Sequence, residues 1–321
     1  MTTATDSSRS DLLARLLRSL IVPVLSILVS LIIGGIIIGV SGGNPLLGYE
    51  GLMQGAFGSQ KAIVETIIKA TPFIFAGLAV AIGFRGGLFN IGVEGQLFVG
   101  SICAVIAGHW ITMPESWAPQ IQTLVHVTIA LLAGTLGGAV WAAIPGYLKA
   151  RTGAHEVITT IMTNYIALRV INWSISRSGP LRNPRNPLPE TYRVEDSARL
   201  PVFQLLDDGV WQDSRLHIGI FIAIATIVLV WWLLWRTPLG FEIRTVGLNA
   251  SAARYAGIRV ERTIVLTMVL SGALAGLGGA IQVLGITGYF TTGFNVGLGF
   301  DAIAVAMLGS NHPAGVALGA S

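Results

Sequence analysis

Polar and apolar residues fall along this chain in long blocks. Apolar runs long enough to cross a bilayer lie at about 20–40, 62–84, 97–113, 123–147, 156–176, 216–235 and 263–286, and a last run begins at 300 and is cut off by the end of the chain. A run of about 20 apolar residues spans the hydrocarbon core as a helix. The pattern therefore predicts an all-α polytopic membrane protein with about eight visible spans. The expected organisation is a cytoplasmic N-terminal segment, 1–19, followed by one transmembrane domain, 20–321, with long polar interruptions at 177–215 and 236–262.

Charge placement gives those spans a direction. Arg9, Arg15 and Arg18 precede the run from Leu20 to Val40, which is too long for a signal-peptide core and is followed by no A-x-A cleavage pattern, so it reads as a first span with a cytoplasmic start. Counting from there places Arg85, then Lys149 and Arg151, then the arginine-rich 236–262 loop inside, and the Lys- and Arg-free 108–122 outside. The 177–215 loop then lies outside, with six arginines balanced by six acids. Its prolines (Pro180, Pro184, Pro187, Pro189, Pro201) predict a stiff irregular excursion, either a seat for an external binding protein or a solvated loop. Trp110 and Trp117 near one edge, and Trp231, Trp232 and Trp235 before Arg236, are expected to form aromatic belts. Glycines four apart (Gly35 and Gly39, Gly83 and Gly87, Gly134 and Gly138, Gly272 and Gly276) predict close helix packing.

Composition narrows the function. With 53% hydrophobic and 11% charged residues the chain is no soluble domain, and a net charge of +4 distributed by loop leaves no basic face for nucleic acid. The single cysteine, Cys103, excludes an intramolecular disulfide, and five scattered histidines give no metal spacing. None of the three lysines follows a glycine, so the chain has no phosphate-binding loop and carries no nucleotide cofactor of its own; any ATP hydrolysis must belong to a separate subunit. Gly39 to Gly43 matches G-x-S-x-G, but Ser41 sits where the first span closes before Asn44 and Pro45, which predicts a helix-terminal turn and not a nucleophile.

Two segments look alike. Phe89-Asn90-Ile91-Gly92 follows the second span and Phe294-Asn295-Val296-Gly297 the seventh, each leading to one acid, Glu94 or Asp301, and then to an apolar helix. By the span count they lie on opposite sides, as two inverted repeats of about five helices would place them, the last incomplete here. Polar interruptions and ionisable groups at membrane depth belong where protein or a water-filled cavity satisfies them. Asn90, Glu94, Gln96, Asn164, Asn295 and Asp301 are thus candidate lining for a substrate pathway, the two acids being equally suited to cap helices. Glu65 and the His155-Glu156 pair read as interfacial.

The 236–262 loop carries five arginines and two glutamates. Asn249 is placed to cap a short helix over Ala250–Ala256 and Gly257 to end it in a left-handed conformation. Its small face, Ala250, Ala253, Ala256 and Gly257, invites another protein, with Arg244, Arg254 and Arg259 available to steer it.

The run G-x-N-x-x-A-A-R-Y-A-G-I, Gly247 to Ile258, resembles the cytoplasmic coupling loop of permease subunits in bacterial ABC importers of the simple-sugar, branched-chain amino acid and nucleoside group. Gly87 to Gln96, His155 to Ala167, Gly179 to Pro184 and Gly299 to Gly309 are similar to the nucleoside branch of that family, and the likeness covers roughly residue 70 to the end. The resemblance implies a subunit embedded in the bilayer and paired with a second permease, a copy or a homologue. It also implies two ABC ATPase subunits and an external substrate-binding lipoprotein as partners, with further spans after Ser321. It implies that Arg244, Gly247, Asn249, Ala252, Ala253, Arg254, Tyr255 and Gly257 couple to the ATPase, and that cargo moves by alternating access. A sugar or branched-chain amino acid permease is the neighbouring reading; a secondary transporter or channel is the other.

Overall fold

In the computed structural model, residues 25, 27–203, 216–291, 293 and 297–320 are described. Among them the chain is helical, with isolated antiparallel bridges at Arg182–Thr191, Glu190–Thr291 and Val202–His217 and no β-strand. Arg9, Arg15, Arg18 and the rest of segment 1–19, the acids Asp207, Asp208 and Asp213, and Phe294 to Val296 lie outside the described residues. The chain divides after Ile63 into two compact units.

In the first unit, α1 (Ile27–Val40) and α2 (Pro45–Phe57) meet at 120°. Gly42, at φ +84, turns the chain, and the Asn44 side chain accepts the Leu46 N–H at 3.0 Å to cap α2, with Pro45 at its first position. Ser41 lies in this turn, as expected; α2 is an element that the apolar runs did not announce. The Tyr49 hydroxyl donates to the Leu31 carbonyl and ties the two helices together.

The second unit holds α3 (Gln60–Arg85, entering it at Val64), α4 (Val93–Trp110), α5 (Pro119–Thr152), α6 (Glu156–Ser174), α7 (Gly219–Arg236), α8 (Pro238–Leu248), α9 (Ala250–Tyr255), α10 (Val260–Gln282), a π turn (Val283–Thr287), α11 (Leu298–Leu308) and α12 (Pro313–Ala320). Its centre is the crossing of α4, α5 and α10. A Cβ on Gly138 would collide with the Gly272 carbonyl oxygen, one on Gly276 with that of Gly134, and one on Gly100 with the Gly276 Cα. Lipid supplies little drive for helices to associate, so bare backbones that approach this closely gain dispersion and dipole contacts that larger residues would forbid. The pairs Gly134/Gly138 and Gly272/Gly276 thus behave as their spacing predicts. Gly83 faces Asn90 and the Leu88 carbonyl instead of another long helix, and Gly87 serves a turn.

Basic residues gather at one end of this unit. Gly86 sits against Thr267 and Gly146 against Met268, so the ends of α3 and α5 lie level with the start of α10, and Arg151, Arg259 and Arg262 line one cavity of about 540 Å³. Lys149 pairs with Glu156 at 2.8 Å there. At the other end the described part of the 177–215 loop is irregular, as its prolines predict, but it is not merely solvated. Glu195 N–H donates to the Gly108 carbonyl (2.8 Å), Val194 N–H to Gly288 (2.9 Å) and Leu200 N–H to Leu284 (3.0 Å), while His126 Nδ1 meets Ser197 Oγ at 2.8 Å. Val194, Ala198 and Leu200 are buried, so this stretch caps the bundle. Behind it the His217 Nδ1 accepts the Gly219 N–H (3.1 Å), leaving its proton on a buried Nε2 without partner; burial pushes this imidazole down to about 4.

The expected span count is not reproduced by length and composition. Among the described residues α3, α5, α7 and α10 with its π turn are each long and apolar enough to cross a membrane, and the bent α1–α2 pair makes a fifth. Helix α4 starts at Val93, four residues before its apolar run, because Glu94 and Gln96 are buried inside protein and need not tolerate lipid. Helix α11, with 11 residues, reaches only about 16 Å at 1.5 Å per residue.

Candidate functional site

The polar residues around the α3–α4 break are closed on one another. Asn90 Nδ2 donates to Gln96 Oε1 (3.0 Å) and Ser271 Oγ (2.8 Å), and Gln96 Nε2 returns a bond to Asn90 Oδ1 at 3.0 Å. The Gly92 N–H also donates to Asn90 Oδ1 (2.9 Å), and Ser271 Oγ donates to the Ala79 carbonyl (2.7 Å). Asn164, from α6, accepts the Gly95 N–H (2.9 Å) and donates to the Ile91 carbonyl (2.8 Å). All are buried. A buried amide without partners costs several kcal/mol, roughly 2–7 by transfer, so a network this complete fixes the break firmly. Asn90, Gln96 and Asn164, expected to line a pathway, hold backbone and one another. Ser271, which completes the set, was missed; a hydroxyl amid the glycines of α10 was the available signal.

Glu94 caps a helix, but not its own. Its Oε1 accepts the Gly297 N–H at 2.7 Å and its Oε2 the Gly299 N–H at 2.5 Å, at the start of α11. The carboxylate thereby satisfies two of the four amides a helix leaves open, where negative charge is favoured. Asp301 is exposed in the first turn of that helix, and Asn295 lies outside the described residues.

The 236–262 loop is two helices, not one. Thr237 Oγ1 accepts the Gly240 N–H (3.1 Å) to cap α8, which has Pro238 at its first position, and a Cβ on Gly240 would strike the Leu233 carbonyl oxygen of α7. Asn249 then accepts the Ala252 N–H at 3.0 Å to start α9, and Gly257, at φ +84, lets the chain leave it. Ala253 is fully buried against Val246 and Val260, so it seats the helix and is not part of an outward face, correcting the expected small face. The side chains that project are Leu248 and Tyr255, 89% and 97% exposed, flanked by exposed Ala252. Arg254 pairs with Glu261 at 2.7 Å, an exposed bridge between α9 and α10.

This knob is anchored into the bundle through Gly247 and Trp235. Gly87, at φ +70, lies flush on Gly247, and a Cβ on Gly247 would collide with the Arg85 carbonyl oxygen. The Arg85 guanidinium donates to the carbonyls of Asn311 (3.0 Å) and Ser310 (3.1 Å) and lies 5.3 Å from the Trp235 ring, with Arg244 over the same ring at 5.9 Å and His312 beside it at 5.1 Å. Trp235 is therefore a packing hub, whereas Trp232 is more than half exposed as a belt residue should be. Among the described residues no cluster of three or more His, Cys, Asp or Glu is arranged to hold a metal ion.

Long apolar helices around a glycine core, with polar groups buried in pairs and a knob projecting at one end, define a multi-pass membrane protein. Residues 62–321 match the family described as branched-chain amino acid transport system / permease component, and the chain belongs to it. It is 43% identical over 95% of its length, and 83% of the relative's, to the guanosine ABC transporter permease protein NupP of Bacillus subtilis. It is 37% identical to the nucleoside ABC transporter permease protein NupB of Lactococcus lactis (93% and 80% covered), and 34% to the glucose ABC transporter permease protein TsgB13 of Haloferax volcanii (92% and 76%). No solved structure matched.

Proposed function

We propose that this chain is the membrane-spanning permease subunit of an ATP-driven importer whose cargo is a nucleoside. The single observation that carries the reading is α9: a six-residue helix, too short to persist alone, held by a cap, a left-handed glycine and a buried alanine while Leu248 and Tyr255 stand in the open. Set at the tip of a polar, arginine-rich loop, these two side chains suit a protein partner. We assign the partner as a separate ATPase subunit, and 236–262 as the cytoplasmic coupling loop. With the N-terminus cytoplasmic, the 177–215 cap faces outward and receives a binding lipoprotein; a second permease completes the path. Residues 20–321 form the membrane domain, built as two inverted repeats around the segments that end at Gly92 and Gly297.

In this mechanism ATPase closure pushes α9. Gly247 on Gly87 carries the push to the α3–α4 break, which Asn90, Gln96 and Asn164 hold in shape, and Glu94 passes it to α11, whose Asp301 faces the path; Asn295, outside the described residues, is assigned to the same path. The nucleoside assignment rests on the guanosine and nucleoside relatives; the glucose relative makes a sugar the competing cargo. Copurification of an ATPase from native membranes tests the class, and loss of it on Tyr255→Ala tests the knob. Heat stabilisation of the partner lipoprotein by guanosine, and not by glucose or leucine, tests the cargo. Unchanged ATPase capture by the Tyr255 variant, or stabilisation by glucose alone, would overturn the corresponding step.

A further inference from the structure

Asn90, Glu94, Gln96 and Asn164, singled out in the sequence as pathway lining, are already satisfied within the protein, so a cargo site is to be sought where polar capacity is left over. One cavity has it. A space of about 310 Å³ opens between α3 and the junction of α10 with its π turn, lined by Glu65, Lys69, Pro72, Phe73, Gln282 and Leu298. That volume is at the small end for ligand sites and suits a single small molecule.

Both walls depart from regular α-helix at this level. Pro72, inside α3, has no N–H to give the Ile68 carbonyl, and Ile68 also lines the cavity. Opposite, α10 widens into the π turn Val283–Thr287 immediately after Gln282. Proline breaks and π turns leave backbone polar groups underused and recur at functional positions. Gln282 is 7% exposed, and its Oε1 is buried with no hydrogen-bond partner. An amide oxygen left this way forfeits about 1–3 kcal/mol unless something donates to it. The cavity lies toward the end away from α9, since Gly285 in the π turn packs on His217.

We propose that this cavity is a cargo site of the permease, taking a nucleoside with its base on Phe73 and Pro72 and its hydroxyls toward Gln282. The proposal rests on the nucleoside reading above and deepens it. Gln282 Oε1 and the Ile68 carbonyl are both acceptors, so they ask for neutral donors; sugar hydroxyls and ring N–H groups supply these at both ends of a nucleoside. An amino acid carries its donors at one carbon and would leave one acceptor facing an aliphatic chain. Glu65 and Lys69, one helical turn apart, contribute opposite charges and leave the site suited to an uncharged molecule.

The test uses the whole transporter, with its ATPase, second permease and lipoprotein, in proteoliposomes. Gln282→Met keeps the length and removes the acceptor, and the guanosine KM should rise about tenfold, the scale of one hydrogen bond. As a second measurement, Ile286→Cys in a Cys103→Ala background should react with an impermeant maleimide added on the lipoprotein side, and guanosine should slow that reaction while leucine does not. An unchanged KM in Gln282→Met, or labelling indifferent to guanosine in a transporter that imports it, would overturn the site and leave the nucleoside reading standing. Import of leucine or glucose with no import of guanosine would overturn both.

Discussion

Replacing Glu94 by Gln probes a hydrogen-bonded contact that joins the α3–α4 break to α11. The carboxylate accepts two backbone N–H bonds, at 2.7 Å from Gly297 and 2.5 Å from Gly299, from a residue only 4% exposed. Hydrogen bonds to a charged group contribute about 1.5–3 kcal/mol each, so the pair is worth roughly 3–6 kcal/mol. Glutamine retains one acceptor and turns an NH2 toward the second N–H, losing about half of that and leaving a buried donor unsatisfied, for a net loss of about 3 kcal/mol. That corresponds to roughly a hundredfold shift in the opening equilibrium at the start of α11. Hydrogen exchange followed by mass spectrometry in nanodiscs reads it directly. The peptide containing Gly297 and Gly299 should exchange about a hundred times faster in Glu94→Gln, while peptides from α5 stay as they are. Equal protection in the variant and the parent would refute the cap.

Gly138→Val should prevent stable folding, because its side chain collides with the Gly272 carbonyl oxygen, whereas Gly51→Ala, which meets nothing within 4 Å, should be tolerated; detergent thermal melts separate the two. Asn249→Ala should cost about 1 kcal/mol of cap and lower uptake at normal membrane insertion, with Asn249→Asp close to the parent in the same transport assay. His217 sets an acid limit. An unfolded imidazole takes up its proton below about 6.5, but the folded one stays neutral down to about 4, so stability is full above that window and is lost as pH falls through it. Melting temperatures between pH 7 and pH 4 should drop, and less so in His217→Gln.

What the sequence disclosed depended on whether a residue's environment differs from that of its neighbours. The cap at Asn249, the left-handed Gly257, the turn at Ser41 and the Gly134/Gly138 and Gly272/Gly276 pairs are local chemistry, and each stands where its type predicts. The direction a helix faces was hidden. In a water-soluble bundle one stripe is polar, but here lipid and protein interior are both apolar, so nothing in the run around Trp235 distinguished a packing hub from a belt residue. The same blindness put Ala253 on the outward face, although burial alone makes it the seat of α9. Asn90 and Gln96 stood out because polar groups are rare in such surroundings, yet rarity could not reveal that each had found the other and Ser271. The cavity beside Gln282 depends on a π turn that no periodicity announces, and Pro72 was its one visible trace.

Where α4, α5 and α10 cross, carbonyl oxygens meet Cα atoms with no side chain between them. Such a joint has no rotamers to reshuffle and no slack to take up; it travels whole or stays put. On the coupling role proposed for α9, a stroke delivered there would arrive at the far side as the displacement of a solid block. Compliance is left to parts fastened mainly through side chains, such as α9, seated on Ala253 and braced by the exposed Arg254–Glu261 pair.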